Sequence, residues 1–272
     1  MNINVRKRLR KVSSRQNSLV KELRRCLVRG EPTADGCCAV ESVRLVGEAI
    51  RSGLRFKAVF FRQSSVSLAD RLLPQIAAQV ETVLLPNNIF DSAVETETPQ
   101  GVAALVKVRT FSLEDVLRPY QPLVLVLSGI LDPGNLGTML RSAEAFGANG
   151  VLLANGTVNQ FNSKAVRASA GSLFRMPALA VKSGETIGRL RSAGVRLVAT
   201  SSHGGTPADQ ANLTGPLAFF IGNEGSGLPR ELVSQMDDTI VVPHGGPAES
   251  LNAAVAASVL LYEAARQRRA GI

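Results

Sequence analysis

Residues 123–147 read LVLVLSGILDPGNLGTMLRSAEAFG, and this stretch decides the fold of the C-terminal half. It opens with an apolar run that does not alternate with polar residues, which is typical of a strand buried on both faces of a parallel sheet. Asp132, Pro133 and Gly134 then predict a sharp turn into a helix. Further β-rich runs alternate with helical segments down the chain. The sequence therefore predicts an α/β fold with a parallel sheet covered by helices, whose ligands bind beyond the carboxyl ends of the strands.

The same periodicity predicts the individual elements. In the C-terminal half we expect strands at 124–130, 151–156, 195–200, 217–224 and 239–244, and helices at 135–147, 163–174, 186–194, 229–236 and 251–269. In the N-terminal half we expect a helix at 16–29, a strand followed by a helix at 37–53, strands at 56–62, 80–86 and 101–108, and helices at 67–79 and 87–95. The N-terminal half is thus predicted to be a smaller α/β unit.

The chain of 272 residues is long enough for two domains with separate cores. Between Val108 and Leu123 the periodicity lapses into RTFSLEDVLRPYQP, which contains two prolines and charges of both signs. We therefore predict an N-terminal domain at 1–108, a linker at 109–122 and a C-terminal domain at 123–272.

The net charge of +9 predicts an anionic partner, because the basic residues are concentrated in one segment. Glu22 is the only acid among the first thirty residues, where the basic residues are Arg6, Lys7, Arg8, Arg10, Lys11, Arg15, Lys21, Arg24, Arg25 and Arg29. Nucleic acid and an anionic membrane surface would both attract this charge, and a solubilising tail is a third interpretation.

Composition argues against several classes of protein. No apolar run approaches the roughly 20 residues that span a bilayer, and the basic segment lacks the apolar stretch of a signal peptide. We therefore expect a cytoplasmic protein that does not span a membrane. Cys26, Cys37 and Cys38 are too few for a disulfide framework and lack the spacing with histidine of a zinc site. We interpret them as buried or idle thiols and expect no metal.

Two of the loops at predicted strand ends carry polar residues with ordinary structural explanations. In the first loop, Asn135 can cap the following helix, and Arg141 can pair with Glu144 on that helix. In the last loop, VVPHGGPAESLN at 241–252, Ser250 can be the helix N-cap, with Asn252 a polar residue of the first turn.

The loop between them, IGNEGSGLP at 221–229, has its glycines in the order G-x-x-G-x-G. A dinucleotide-binding Rossmann enzyme, one rival interpretation, would have G-x-G-x-x-G, and the lysine of a P-loop is missing. Glu224 is unusual, because a carboxylate among glycines at a strand end is seldom structural. His203 and His244 lie far apart and without a nucleophile motif, which disfavours hydrolase chemistry.

Taken together, the three loops resemble the SpoU (TrmH) family of RNA 2′-O-ribose methyltransferases, part of the SPOUT superfamily. The resemblance runs from about Leu123 to the end of the chain, through the motifs PGNLGTMLRSAEAFG, IGNEGSGLP and VPHGGPAESLNAAVAASVLLYE. VRASAGSLFRMP at 166–177 is also similar to this family. SSRQNSLVKELRR, VESVRLVGEAI and TPQGVAALVK resemble the RNA substrate-binding domain that some members carry.

The resemblance implies the fold, the methyl donor and the assembly. The fold would have a C-terminal trefoil knot, an exception to the rule that chains avoid knots, and the knotted domains would pair in a homodimer. The methyl donor would be S-adenosylmethionine, and the residues implied to contact it are Thr200, Gly222, Val242 and Leu251. His244, Pro247 and Ala248 depart from the residues usual in the family.

The resemblance also implies the catalytic residues. Arg141 would be the general base, with an RNA phosphate assisting it, and the residues that hold the arginine, the hydroxyl and the ribose would be Asn135, Glu224, Ser250 and Asn252. A guanidinium with a pKa above about 12 is a poor proton acceptor, so the alternative is that Arg141 anchors phosphate and stabilises the developing alkoxide. We expect ribosomal RNA as the substrate; transfer RNA, or a non-catalytic RNA-binding role on the same fold, are the alternatives.

Overall fold

A computed structural model of the chain describes residues 7–245 and 249–271. Arg6 of the basic segment and Pro247 and Ala248 of the last loop lie outside these residues. The chain divides into two units by its internal contacts. The first unit comprises the described residues up to Arg109 together with Asn159–Phe174, and the second comprises Thr110–Val158 and the described residues from Arg175 onward.

The elements follow in chain order. The strands are β1 (Arg10–Lys11), β2 (Cys37–Glu41), β3 (Arg55–Arg62), β4 (Glu81–Leu85), β5 (Val102–Lys107), β6 (Leu123–Leu127), β7 (Gly150–Leu153), β8 (Ala178–Ala180), β9 (Arg196–Ser201), β10 (Thr206–Pro207), β11 (Leu217–Ile221) and β12 (Asp238–Val241). The helices are α1 (Ser18–Arg29), α2 (Val43–Arg51), α3 (Ser67–Leu72), α4 (Asn87–Ala93), α5 (Leu113–Leu117), α6 (Pro133–Ala145), α7 (Ser163–Ala168), α8 (Ser183–Ser192), α9 (Arg230–Val233) and α10 (Ala253–Ala270).

The first unit is built on a mixed sheet in the order β1-β4-β3-β5-β2. Strand β5 runs antiparallel to β2 and β3, and the remaining pairs are parallel. Helix α1 is capped at its start by Asn17, whose side chain accepts a hydrogen bond from Leu19 N, and at its end by Gly30 in the left-handed conformation. Its apolar face packs into a core with the buried Phe60, Phe90 and Leu105.

The second unit contains the predicted parallel sheet. The strand order is β10-β12-β9-β11-β6-β7-β8, and every pair in it is parallel. All residues of β6 and β11 are buried, as expected for central strands whose sequences, LVLVL and LAFFI, are continuously apolar. The α/β prediction with a parallel sheet is therefore confirmed.

Several predicted boundaries were wrong, each for a local reason. The helix expected at 67–79 ends as α3 at Leu72 and continues only as a short 3-10 turn that contains Pro74. The helix expected at 163–174 breaks after α7, because Ala170 and Gly171 take positive φ values of 51° and 97°. The segment expected as an irregular linker contains α5, whose start is a capping box of Ser112 and Asp115.

The segment Asn159–Phe174 groups with the first unit, although we predicted one C-terminal domain over 123–272. Helix α7 packs against β2, and a Cβ at Gly171 would lie 2.9 Å from the side chain of Glu48. The functional extent of the two domains remains a prediction.

Cys26, Cys37 and Cys38 are free thiols, and all three are buried, which agrees with the interpretation of the sequence. Burial raises the pKa of Cys26 to about 11 and that of Cys38 to about 12. Within the described residues, no helix is both long and apolar enough to cross a membrane.

Candidate active site

The register of the second sheet brings four strand ends together. Ile221 of β11 lies opposite Leu127 of β6, and on the other side of β11, Phe220 lies opposite Ala199 of β9. Ile240 of β12 in turn lies opposite Thr200. Because these strands are parallel and in step, the loops that leave their carboxyl ends share one edge of the sheet.

The loop after β6 turns at Gly129, where φ is 75°, and enters α6 through Pro133 in its first turn. Asp132 caps this helix, with its side chain accepting a hydrogen bond of 2.7 Å from Asn135 N. The structural explanation that Asn135 is the cap was therefore wrong. The side chain of Asn135 is free to contact other loops.

The loop after β11 is closed by contacts between its own backbone atoms. Asn223 and Gly227 exchange two backbone hydrogen bonds of 3.1 and 3.0 Å. A Cβ on Gly222 would lie only 2.2 Å from the carbonyl carbon of Gly227, so this position requires glycine.

Asn223 holds this loop to the loop after β6, and the sequence analysis did not single it out. Its Oδ1 accepts hydrogen bonds from Gly225 N at 2.9 Å and Ser226 N at 3.1 Å. Its Nδ2 donates to Gly129 O at 2.8 Å. The sequence could have indicated this role, because an asparagine beside a glycine-rich turn often forms hydrogen bonds to nearby backbone.

A directional chain of hydrogen bonds, the amide network of Asn252, Asn135 and Glu224, joins all three loops. Asn252 caps α10 through Oδ1, which accepts from Ala254 N at 2.9 Å, so its Nδ2 is left to donate to Asn135 Oδ1 at 3.0 Å. Asn135 Nδ2 then donates to Glu224 Oε1 at 2.9 Å. Since the helix cap fixes one end, the orientation of each amide in the network follows.

The pKa of Glu224 lies below its usual range. Partial burial is the largest contribution and raises the pKa, but hydrogen bonds outweigh it. The amide of Asn135 lowers the pKa most, followed by the backbone N–H groups of Glu224 itself, Leu131 and Asp132. Glu224 is therefore an ionised acceptor that anchors the amide network.

The structural explanations for the other two polar residues were also wrong. Asn252, not Ser250, is the N-cap of α10, and Ser250 is exposed ahead of the helix. Glu144 pairs with Arg175, at 2.5 Å between Oε1 and Nε, and not with Arg141. Arg141 is exposed on α6 and has no ion-pair or hydrogen-bond partner within the described residues.

A cavity of about 280 Å³ lies at the same strand ends. Its lining includes all the residues that the resemblance assigned to the methyl donor, namely Thr200, Gly222, Val242 and Leu251. Glu224 and Ser250 also line it, whereas Asn135, Arg141 and Asn252 do not. Glu224 thus belongs to both the cavity and the amide network.

Two further side chains at the cavity use their polar atoms internally. Thr200 Oγ1 donates to Phe220 O at 2.9 Å, and His244 Nδ1 lies 3.0 Å from Val242 O. No cluster of three or more His, Cys, Asp or Glu side chains suited to a metal ion occurs among the residues that the structure describes.

Comparison with known proteins assigns a family to this arrangement. Residues 122–262 match the model of the SpoU rRNA methylase family, and residues 17–104 match an MRM3-like substrate-binding domain. The chain therefore belongs to the SpoU rRNA methylase family, as the resemblance predicted.

Full-length relatives support the match. The chain is 31% identical to a 23S rRNA (guanosine(2553)-2′-O)-methyltransferase of Bacillus subtilis, over 93% of this chain and 98% of the relative. It is 33% identical to a 23S rRNA (uridine(2479)-2′-O)-methyltransferase of Streptomyces viridochromogenes, over 89% of this chain and 87% of the relative. The crystal structure of the SpoU methyltransferase AviRb from Streptomyces viridochromogenes, in complex with the cofactor AdoMet, superposes with a TM-score of 0.82 at 30% identity, over 94% of this chain and 100% of AviRb.

Proposed function

We propose that this chain methylates the 2′-hydroxyl of one ribose in ribosomal RNA, with the cavity holding the methyl donor and the amide network beside it receiving the RNA. The reaction class follows from the family: the chain is an S-adenosylmethionine-dependent RNA 2′-O-methyltransferase. The observation that carries the proposal is the shared position of Glu224, which joins the cavity to the network.

The cavity fits a compact nucleoside-containing ligand. Its lining combines the apolar side chains of Ile221, Ile240 and Leu260 with main chain at Gly222 and the hydroxyl of Ser201, a mixture typical of small-molecule sites. S-adenosylmethionine supplies an activated methyl group on a positively charged sulfur, so correct positioning accounts for much of the rate. We propose that Thr200, Gly222, Val242 and Leu251 hold it, since all four line the cavity.

The amide network would hold the substrate side of the site. Both oxygens of Glu224 accept hydrogen bonds, Oε1 from Asn135 and Oε2 from Leu131 N at 3.4 Å. Because Glu224 stays ionised and engaged, we assign it to positioning Asn135 and not to accepting the substrate proton. Ser250, exposed at the cavity, would donate to or accept from the ribose.

We assign Arg141 to anion recognition. Its guanidinium is exposed and has no acidic partner within the described residues, so it is available to an RNA phosphate and to the alkoxide that develops on the ribose. A guanidinium is a poor proton acceptor, which favours this role over that of general base. The 2′-hydroxyl proton would pass to the RNA phosphate held by Arg141, or to water, as the oxygen–methyl bond forms and the sulfur–methyl bond breaks.

Ribosomal RNA is favoured over transfer RNA by the first unit. The two named relatives cover nearly the whole chain, substrate-binding domain included, and both are named for 23S rRNA. Their names give a guanosine in one case and a uridine in the other, so family membership does not fix the nucleotide. An rRNA substrate would place the protein in the cytoplasm with the ribosomes.

A homodimer is proposed from an apolar groove on α6 and α10. The groove, of about 340 Å³, is lined by Thr138, Phe146, Ala254, Val255, Ser258, Val259 and Tyr262. Val255, Val259 and Tyr262 are 49%, 39% and 47% exposed, and a second copy would cover them. V255E/V259E should then sediment as a monomer, while the wild type sediments as a dimer.

A trefoil knot at the C-terminus is proposed from the topology. Strand β12 lies between β10 and β9 in the sheet. The chain then returns from β12, and α10 packs on α6, which follows β6, with Ser142 Oγ and Ser258 Oγ 2.7 Å apart. An experimental structure traced through residues 241–253 would test the threading.

The function is tested by methyl transfer to unmodified transcripts. Labelled S-adenosylmethionine is incubated with the chain and with 23S rRNA, 16S rRNA or tRNA, and the product is digested with alkali. Label in an alkali-resistant dinucleotide from one rRNA would support the proposal and identify the nucleotide. Label in tRNA alone would show that tRNA, and not rRNA, is the substrate. Donor binding without methyl transfer to any RNA, assembled ribosomal particles included, would favour a non-catalytic role.

A further inference from the structure

Helix α1 of the first unit carries one continuous basic face. Lys21, Arg24, Arg25 and Arg29 are all exposed, and they lie at the i, i+3, i+4 and i+8 positions of the helix. This spacing places them on one side over about 12 Å of helix length. Val28, at i+7, is 58% exposed in the same face. We call these residues the α1 basic stripe.

The stripe is not neutralised within its own unit. None of its four cations makes an ion pair or a hydrogen bond with another of the described residues. The only acid on the helix, Glu22, forms an ion pair with Lys57, with Oε2 at 2.8 Å from Nζ. The helix dipole favours Arg29 in the last turn but gives no reason for Lys21, Arg24 or Arg25.

Charged residues on other helices of the first unit form ion pairs. On α2, Arg51 pairs with Glu48 at 2.7 Å, and Asp91 of α4 pairs with Arg62 at 2.8 Å. Solubility alone is served by such mixed charge. Four cations of one sign along a single face instead create a local positive potential that would attract a polyanion.

We propose that the α1 basic stripe is a docking surface for the phosphate backbone of the RNA substrate. The inference rests on the proposed function and adds to it the surface by which the first unit holds RNA. The cations would displace counterions from successive phosphates, which gives affinity without base specificity. Base selection would be left to other parts of the protein.

A membrane surface is the weaker candidate for this partner. A helix that lies in a membrane interface inserts an apolar face, but α1 buries its apolar residues, Val20, Leu23, Cys26 and Leu27, in the core of its own unit. Only Val28 remains for insertion. The stripe therefore offers charge without the apolar area that stable membrane binding requires.

The test compares three full-length variants with the wild type. K21Q/R24Q/R25Q/R29Q removes the charge, K21R/R24K/R25K/R29K keeps it with altered side chains, and R44Q/R55Q/R71Q removes other exposed cations of the same unit. Affinity for a 23S rRNA transcript is measured at about 50 to 200 mM salt, with donor affinity, thermal unfolding and methyl transfer measured alongside. K21Q/R25Q serves as a milder variant if the quadruple glutamine variant unfolds.

The charge-removing variant should bind the transcript roughly tenfold or more weakly at about 100 mM salt, and the slope of log Kd against log salt should be shallower by about 3 to 4. Its donor affinity should not change, its KM for RNA should rise and its kcat should stay within about twofold. The charge-keeping variant should match the wild type.

Three results would overturn the stripe as an RNA surface. One is an unchanged salt slope in the charge-removing variant, and another is an equal loss in R44Q/R55Q/R71Q. A third is binding of the wild type to phosphatidylserine vesicles that the charge-removing variant loses while it keeps its RNA affinity. In each case a wild type that still methylates rRNA leaves the proposed function standing; a wild type that methylates no RNA would remove the function and the stripe together.

Discussion

Each unit places a glutamate at the carboxyl end of a strand, and the two carboxylates are held in opposite ways. Glu41 ends β2 and is 3% exposed; its Oε1 accepts from Thr96 Oγ1, but its Oε2 has no hydrogen-bond partner among the described residues. Glu224 follows β11, is exposed, and accepts from the amide of Asn135 and the backbone of Leu131.

As a result, the pKa values of the two carboxyl groups shift in opposite directions. Loss of water raises the pKa of Glu41, and this outweighs the lowering effects of the Thr96 hydroxyl and the charge of Arg167. Protein donors replace water around Glu224, and its pKa is lowered. A carboxylate supplied with N–H donors can stay charged and orient its neighbours. Burial and the supply of donors together therefore decide the charge of a strand-end acid.

The largest loss should come from replacing Arg141, the exposed cation on α6. Arg141→Ala removes the proposed contact to phosphate and alkoxide, so kcat for rRNA should fall by roughly 1,000-fold, a loss typical of removing one donor to a developing charge. Donor affinity by calorimetry should stay unchanged, since Arg141 does not line the cavity. Arg118→Ala, at an exposed arginine next to α5, is the control and should keep full activity. Near-normal turnover of the Arg141 variant would exclude its proposed role.

Replacing the ionised anchor tests the network itself. Glu224→Gln keeps the shape but puts an amide opposite Asn135 Nδ2 or Leu131 N, so Asn135 should shift and kcat should fall by roughly 100-fold. Because the folded pKa of Glu224 is lowered, its contribution to stability is present above its ordinary pKa and is lost as pH falls through the folded value.

Thermal unfolding across pH checks that sign. The stability advantage of the wild type over Glu224→Gln should shrink as the pH falls below the usual range of a glutamate. An advantage that grew toward acid pH would contradict the assignment of Glu224 as an ionised acceptor.

A smaller effect is expected at Asn223, which acts on the site through the loop. Asn223→Asp keeps the acceptor for Gly225 N and Ser226 N but sets a carboxylate oxygen against Gly129 O, 2.8 Å from the present donor. The glycine loop should loosen, raising KM for the donor roughly tenfold with a smaller change in kcat. Asn88→Asp, in the first unit, is the matched control. A loss confined to kcat would show that Asn223 acts on the substrate side instead.

The sequence predicted the central strands of the parallel sheet but not the shortest strands and helices. Long apolar runs such as 123–127 and 217–221 identified the buried parallel strands, because burial on both faces leaves a clear pattern. The strands at Arg10–Lys11 and Thr206–Pro207 were missed, since two residues carry no periodicity. Helix α5 was missed because its five residues are too few for a helical pattern and lie between prolines and charges.

The site was predictable as a set of loops and not as a set of contacts. The family resemblance implied that Thr200, Gly222, Val242 and Leu251 contact one ligand, and the structure places all four around one cavity. Which residue caps a helix depends on φ and ψ at the turn, so sequence alone could not choose between Ser250 and Asn252. The catalytic and donor-binding roles that the resemblance implied for these loops remain predictions.

The smallest effect should come from the buried glutamate, and its sign should be opposite to that at Glu224. Since the folded pKa of Glu41 is raised, its contribution to stability is fully present below its ordinary pKa and is lost as the pH rises through the folded value. Glu41→Gln removes the buried charge, so relative to the wild type it should gain about 1 kcal/mol in unfolding free energy between acid and neutral pH, with kcat within about twofold. Urea unfolding of both proteins at about pH 4 and pH 8, with Glu81→Gln as an exposed control, measures the change. If instead the unfolding free energy of the wild type rose relative to that of the variant with rising pH, the charge of Arg167 would outweigh burial. The pKa of Glu41 would then be lowered, as that of Glu224 is.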